Sequence, residues 1–348
     1  MKGQGAVRNI KNKFEKNEIV PFWENDFDFS EEKTKTEFTK VYAKTIVNQV
    51  KSIDLPFVQS LNPYQGCEHG CTYCYARPTH EYWALNAGLD FERKILYKPD
   101  AAILLEKHFK KKNYVPNTIS LSGNTDCYQP AERKFKLTRQ ILEVCLRYKH
   151  PVSIITKNAL LLRDLDLLIE LQKDNLIAVA LSITTLNEDL RRTLEPRTSS
   201  AANKLKAMKV LSEHNIPVFG MIAPIIPSLN NHEVFNLAEQ FKLHGAIGFS
   251  STIVRLNDAV EPIFKEWIYK SFPDRAEKVL NQIKETHGGN LGSKTPIERM
   301  KGTGKISENI NQTLKLARQK FFPDFEYPKL NMKAFIPLLK PQLELFEE

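Results

Sequence analysis

Cysteine is scarce in this chain, with five among 348 residues, which excludes a fold stapled by disulfides. No apolar run approaches the ~20 residues that span a bilayer, so a soluble protein without a membrane partner is expected. No signal-peptide pattern opens the chain, and a reducing, cytoplasmic setting is expected. Internal repeats and low-complexity tracts are missing as well, which removes solenoid and fibrous architectures. What remains is an ordinary composition, 42% hydrophobic and 26% charged, enough to bury the core of one large or two modest domains. The net charge of +9 suits a polyanion, so DNA or RNA enters as an expected partner. The basic runs are short, however, and "KHFKKKNY" around Lys110 to Lys112 reads as the solvated end of a helix.

Short runs rich in Val, Ile, Ser and Thr read as buried strands. They are "FVQSLN" (57–62), "TISLSG" (118–123), "VSIITK" (152–157), "IAVALSIT" (177–184), "VFGMIAPI" (218–225) and "GFSSTIV" (248–254), with an extra short strand expected at "KILYK" (94–98). Between most of them lie patterns with apolar spacing of three and four, at 137–149, 161–173, 201–214 and 232–244. This alternation predicts an α/β fold with a parallel sheet and right-handed crossovers, open or curled towards a barrel. Past Arg255 only helical patterns follow, and the first fifty residues are polar and weakly patterned. The expected division is an N-terminal extension (1–55), a core domain (56–256), a helical C-terminal extension (257–335) and a tail (336–348).

In parallel α/β sheets, ligands sit beyond the carboxyl ends of the strands. The residues there include Asn124, Thr125 and Asp126, Lys157 and Asn158, Ser182 and Thr184, and Arg255 and Asn257. Hydroxyls at such positions also cap turns and helices. After the first strand comes "NPYQGCEHGCTYCYARPTHEY" (62–82), which gathers Cys67, Cys71 and Cys74. Three clustered thiols in a reducing compartment point to metal or redox chemistry. Structural zinc takes four protein ligands, and His69 or His80 could supply the fourth. A four-iron, four-sulfur cube also takes four, so three cysteines would leave one iron open.

The C-x3-C-x2-C spacing, with an aromatic residue before the last cysteine, resembles the cluster loop of the radical S-adenosyl-L-methionine (SAM) enzymes. That loop follows the first strand of a partial (β/α)6 TIM-type barrel, the layout expected above. "SGNTDCYQPAER", "ITKNALLLRDLDLL", "EPRTSSAANKLKAMKVL" and "APIIPSLNN" together resemble the branch that contains spore photoproduct lyase. The resemblance covers about residues 56–256 and continues through "FKEWIYKSFPDRAEKVL" and "ERMKGTG".

The resemblance implies a 4Fe-4S cluster on Cys67, Cys71 and Cys74, with SAM chelating the open iron and an electron donor such as flavodoxin or ferredoxin. One electron would split SAM and release a 5′-deoxyadenosyl radical, which abstracts hydrogen from an unreactive carbon. The cofactors carry that chemistry and the protein orients them. By the same resemblance, Lys157 pairs with the SAM carboxylate, Thr125 and Ser182 hydrogen-bond SAM, and Tyr73 packs near the adenine. Arg197 is expected either on the carboxylate or in a salt bridge with Glu195 or Asp189. Tyr75 stands where the lyase carries a tyrosine suited to hydrogen relay, and it would equally cover the cluster against water. Cys127 is a candidate hydrogen donor, although the lyase's position matches nearer Gly123, and Cys145 reads as a core residue.

The displaced donor argues against a true spore photoproduct lyase. Three functions follow: a radical enzyme acting on nucleic acid in repair or modification, one acting on a peptide or small molecule, and a non-catalytic zinc- or cluster-binding protein. The tail "PQLELFEE" adds a partner. Gln342, Leu343, Leu345 and Phe346 resemble the pentapeptide that docks on the bacterial sliding DNA clamp, with the alternative that they fold back on their own domain.

Overall fold

The computed structural model describes residues 3–14, 35–55 and 57–337. The clamp-like stretch from Gln342 to Phe346 lies outside the described residues. Ten strands are present among them: β1 (Glu37–Lys40), β2 (Val47–Gln49), β3 (Gln59–Leu61), β4 (Tyr64–Gln65), β5 (Lys94–Tyr97), β6 (Ile119–Leu121), β7 (Val152–Thr156), β8 (Ile177–Ser182), β9 (Val218–Ile225) and β10 (Phe249–Ile253).

The main sheet has seven strands in the order β10-β9-β8-β7-β6-β3-β2. From β3 to β10 every pairing is parallel and each new strand adds beside its predecessor. Crossover helices cover the outer face of the sheet, and β8, an interior strand, is buried at every position and is written entirely in apolar and small residues. This is the partial (β/α)6 barrel. The six expected strands are all there, but most are shorter than their apolar runs. Their carboxyl ends peel away early, and the released residues line the cavity described below.

Two expectations shift in detail. The weakly patterned N-terminal region supplies β2, which closes the sheet edge antiparallel to β3, and β1. β1 joins β5, the strand expected at "KILYK", and β4 in a separate three-stranded sheet. Two of the crossover segments begin with hydrogen-bonding caps that the sequence provides. Asn158 accepts from the Leu160 amide and Ser200 accepts from the Asn203 amide.

Past β10 the chain is helical. The helix Val260–Ser271 packs on Pro273–Glu285, and Gly304–Phe321 packs on the crossover helix Val234–Leu243. The apolar faces of the first pair form a second core in which Phe264, Trp267 and Ile268 meet Cys71 and Tyr73, while the second pair joins the main core. The C-terminal helices therefore buttress the cysteine loop from outside the barrel. Among the described residues no helix is long and apolar enough to cross a membrane.

Candidate active site

The cysteine loop runs from β4 into a turn of 3-10 helix, Arg77–Trp83, and is pinned at nearly every step. The Cys67 amide donates to the Phe91 carbonyl at 2.8 Å, and the Thr72 amide donates to Leu194 at 3.1 Å. The side-chain oxygen of Gln129 accepts from the Glu68 amide at 2.9 Å while its Nε2 donates to the Gly66 carbonyl at 3.0 Å. Arg77 is fully buried, donates to the carbonyls of Cys71, Ala87 and Gly88, each at 3.0 Å, and pairs with the buried Glu92 at 2.5 Å. A buried guanidinium is tolerated only when paired and hydrogen-bonded like this, so the pair sets the loop's shape.

The N-terminal segment straps this loop. The amides of Gly5 and Ala6 donate to the Glu92 carboxylate at 3.1 and 2.7 Å, and Asn12 donates to the carbonyls of Glu81 and Leu85. Gly5 passes so close to the loop that a Cβ there would stand 1.7 Å from the Gly70 carbonyl oxygen. Gly70 itself adopts φ +69°, a left-handed conformation that favours glycine.

Inside lies a cavity of about 260 Å³. Cys67, Cys71 and Cys74 form one wall, and Tyr73, Tyr75, Thr125, Asp126, Lys157, Ser182 and Arg255 contribute from the strand ends. The thiols are free of disulfides, and burial pushes all three above the ordinary cysteine range. They would ionise only against a cation.

The donor set tests which group fits. His69 lines the cavity, but its Nε2 faces the Asn158 amide at 3.3 Å and its Nδ1 faces Asp126 at 3.5 Å. His80 is buried against the ring of Phe91 and is not among the cavity's lining residues. Neither histidine stands as a fourth ligand. Among the described residues, no three His, Cys, Asp or Glu side chains converge as a single-ion site requires. Three thiols spaced around open volume fit a multi-atom cluster with one open metal position better than they fit closed tetrahedral zinc.

Next to the thiols sits a buried charge cluster. Lys157 Nζ donates to Ser182 Oγ at 2.8 Å, Thr184 Oγ1 at 3.1 Å and the Ala223 carbonyl at 2.9 Å, and pairs with Glu195 at 3.0 Å. Lys204, also buried, donates to the Ser182 carbonyl at 3.0 Å and lies 3.8 Å from Glu195. Burial draws the Lys204 pKa down to about 8, with Glu195 pulling the other way. Burial alone would raise Glu195, but Lys157 and Lys204 outweigh it and hold that carboxyl at about 2. Two ammonium groups face Glu195, and Asp126 brings a second carboxylate to the cavity wall, so it is the Lys157 ammonium itself, on the cavity side of the cluster, that an incoming anion would meet.

The remaining site candidates are placed as follows. Tyr73 lines the cavity with its hydroxyl on Glu195 and its ring 5.6 Å from Lys157 Nζ. Thr125 lines it too, but its hydroxyl donates to the Tyr64 carbonyl at 2.7 Å. Tyr75 is half-exposed at the mouth, donating to the Gly123 carbonyl at 3.0 Å.

Two candidates lie elsewhere. Cys127 is fully buried in the core, its amide taken by Ser122 and its carbonyl by Thr138, and it does not line the cavity. Only glycine, at Gly123, stands in the wall where a donor was sought. Arg197 reaches neither the cavity nor Glu195 nor Asp189. Pro196 turns the chain, so Glu195 points inward while Arg197 faces the Glu92 carbonyl at 3.4 Å and its carboxylate at 3.7 Å.

Sequence reasoning missed Glu92, Arg77, Lys204 and the strap. Lys204 carried a legible signal, since it stands on the apolar face of its helix with Ala201, Leu205, Met208 and Leu211. Glu92 carried none, because its partners come from residues 5, 6, 77 and 197.

A parallel barrel with three free thiols and a lysine–carboxylate cluster at the carboxyl ends of its strands defines a class, an α/β-barrel protein with a thiol-lined cavity at that rim. The family model described as the radical SAM superfamily matches residues 61–241, and the chain belongs to that superfamily as a radical SAM enzyme. It is 31% identical to an uncharacterized protein of Mycobacterium tuberculosis (strain ATCC 25618 / H37Rv) over 240 residues, 68% of this chain and 71% of that one. It is also 31% identical to an uncharacterized protein of Methanocaldococcus jannaschii over 249 residues, 72% of this chain and 89% of that one. Among solved structures, it shares its fold with spore photoproduct lyase complexed with dinucleoside spore photoproduct. The TM-score is 0.58 at 15% identity, covering 82% of this chain and 80% of the lyase.

Proposed function

We propose that Cys67, Cys71 and Cys74 hold a 4Fe-4S cluster, that Lys157 receives the SAM carboxylate, and that the enzyme acts on nucleic acid in repair or modification. The observation that carries the first two parts is the cavity that the three thiols share with Lys157, whose ammonium is fixed behind the wall by its pair with Glu195. When bound and reduced, the cluster supplies the electron that splits SAM and yields the 5′-deoxyadenosyl radical.

The chain's own residues orient and shield. Lys157, already held by Ser182, Thr184 and Ala223, presents a fixed ammonium to a carboxylate. Tyr73 and Ser182 flank it, and Tyr75 and Arg255 stand at the mouth. The electron comes from a donor such as flavodoxin or ferredoxin.

The nucleic-acid part is supported by the net charge of +9 and by the fold shared with a lyase whose bound ligand is a dinucleoside. Its test is binding of labelled DNA and RNA strands by the reconstituted enzyme as salt is raised. A linear fall of log affinity with log salt is expected, with a slope reporting several phosphate contacts. Salt-insensitive or absent binding would refute it.

A second reading, a peptide substrate, has one specific support. The chain is 26% identical over 146 residues to the antilisterial bacteriocin subtilosin biosynthesis protein AlbA of Bacillus subtilis, although this covers 41% of the chain and 32% of that protein.

A further inference from the structure

The cavity carries a second cation besides Lys157. Arg255 follows β10 and lines the cavity, half-buried, with its guanidinium 5.5 Å from the centre of the Tyr75 ring. Among the described residues its hydrogen bonds run from Nη1, to the Arg299 carbonyl at 3.4 Å and to Met300 Sδ at 2.7 Å. Nε and Nη2 have no protein acceptor among the described residues.

The carboxylate of Asp54, whose charge Arg255 feels, is already committed. One oxygen accepts from the Ile297 amide at 2.5 Å and the other holds Arg299, which Ser52 also engages. A half-buried guanidinium without a carboxylate partner is disfavoured by desolvation, and Arg299 beside it adds repulsion, so both lower its pKa. Such a group is stabilised by an anion entering the cavity. Around it Leu55, Phe57, Tyr75 and Met300 make an apolar and aromatic surface, and Tyr75 directly follows the cluster-loop residue Cys74.

We propose that Arg255, laid on the ring of Tyr75, is the anion anchor for the substrate and holds a phosphodiester oxygen of a nucleic-acid strand. The planar fork matches phosphate oxygens, and the rings of Phe57 and Tyr75 offer faces on which a neighbouring base can stack. Lys157 serves SAM, so the two cations divide the cavity between cofactor and substrate. This inference rests on the nucleic-acid reading above.

The test measures fluorescence anisotropy on anaerobically reconstituted enzyme with SAM, comparing wild type, Arg255→Gln and Arg255→Lys. The probes are a short single-stranded DNA, the same strand as an uncharged methylphosphonate, and a peptide rich in Asp and Glu. Thermal midpoints check that the variants fold, and Arg255→Lys keeps the charge if the glutamine variant does not. The DNA should bind roughly ten-fold more weakly to Arg255→Gln, with a smaller loss for Arg255→Lys. The salt slope should fall by about 0.7, the contribution of one phosphate on a single strand. The methylphosphonate should bind all three proteins alike. If DNA binds wild type and Arg255→Gln equally with one slope, the anchor is overturned while the nucleic-acid reading stands. If DNA does not bind and the acidic peptide binds through Arg255, the nucleic-acid reading fails and the phosphodiester assignment falls with it.

Discussion

Lys157 holds the balance of the buried charge cluster, because it faces both Glu195 and the open cavity. If Lys157 receives the SAM carboxylate as proposed, replacing it removes a charge-assisted contact to SAM, and it leaves Glu195 with Lys204 alone. Lys157→Ala is expected to weaken SAM binding by roughly ten- to a hundred-fold and to lower stability by about 3 kcal/mol. Lys149→Ala, which removes only a surface pair with Asp174, should change SAM affinity less than about two-fold. Calorimetric titration of both variants decides this, and equal losses would show that the site is misplaced.

Glu195 makes the same cluster pH-sensitive. Its folded pKa of about 2 lies below its ordinary value of 4.5. The stabilisation is therefore fully present above about pH 4.5 and is lost as pH falls towards 2. Thermal midpoints of wild type should fall across that window, and those of Glu195→Gln should fall less from a lower starting value. Parallel curves would contradict the coupling.

At the scale of elements, the strap and the cysteine loop behave as one unit. Gly5→Val places side-chain atoms against the Gly70 carbonyl, so the strap must lift and give up the two amides on Glu92. The expected result is faster hydrogen exchange over residues 66–77 and a loss of about 2 kcal/mol in stability. Exchange unchanged from wild type would mean that the strap does not shape the loop.

The elements were legible in the sequence wherever periodicity or spacing recorded them. Runs such as Ile177–Ser182 read as buried strands because crossover helices cover the outer face and the barrel interior buries the inner one, and the cysteine spacing marked the loop before any geometry was known. The strap was not legible, since its contacts to Glu92 join residues 86 and 87 positions apart, and no local pattern reports such a meeting. Cys127, read as a candidate hydrogen donor displaced from the lyase's position, shows the same limit of a one-dimensional reading. A thiol near a strand end looks chemical in one dimension, whereas the turn from Ser122 to Tyr128 folds it into the core behind Gly123.

For the whole molecule, the architecture concentrates chemistry at one rim. Strand ends bring Thr125, Lys157, Ser182 and Arg255 to the cavity, the C-terminal helices back the loop through Trp267 and Phe264, and the strap closes it from outside. The central claim is that this rim holds a redox cluster that cleaves SAM. Anaerobic reconstitution with iron and sulfide, followed by metal quantitation and an assay for 5′-deoxyadenosine under dithionite, tests it most directly. The account predicts about four iron and four sulfide per chain and SAM cleavage that disappears in Cys67→Ala, Cys71→Ala and Cys74→Ala while each variant stays folded. Stoichiometric zinc without iron, or cleavage that survives these changes, would contradict it.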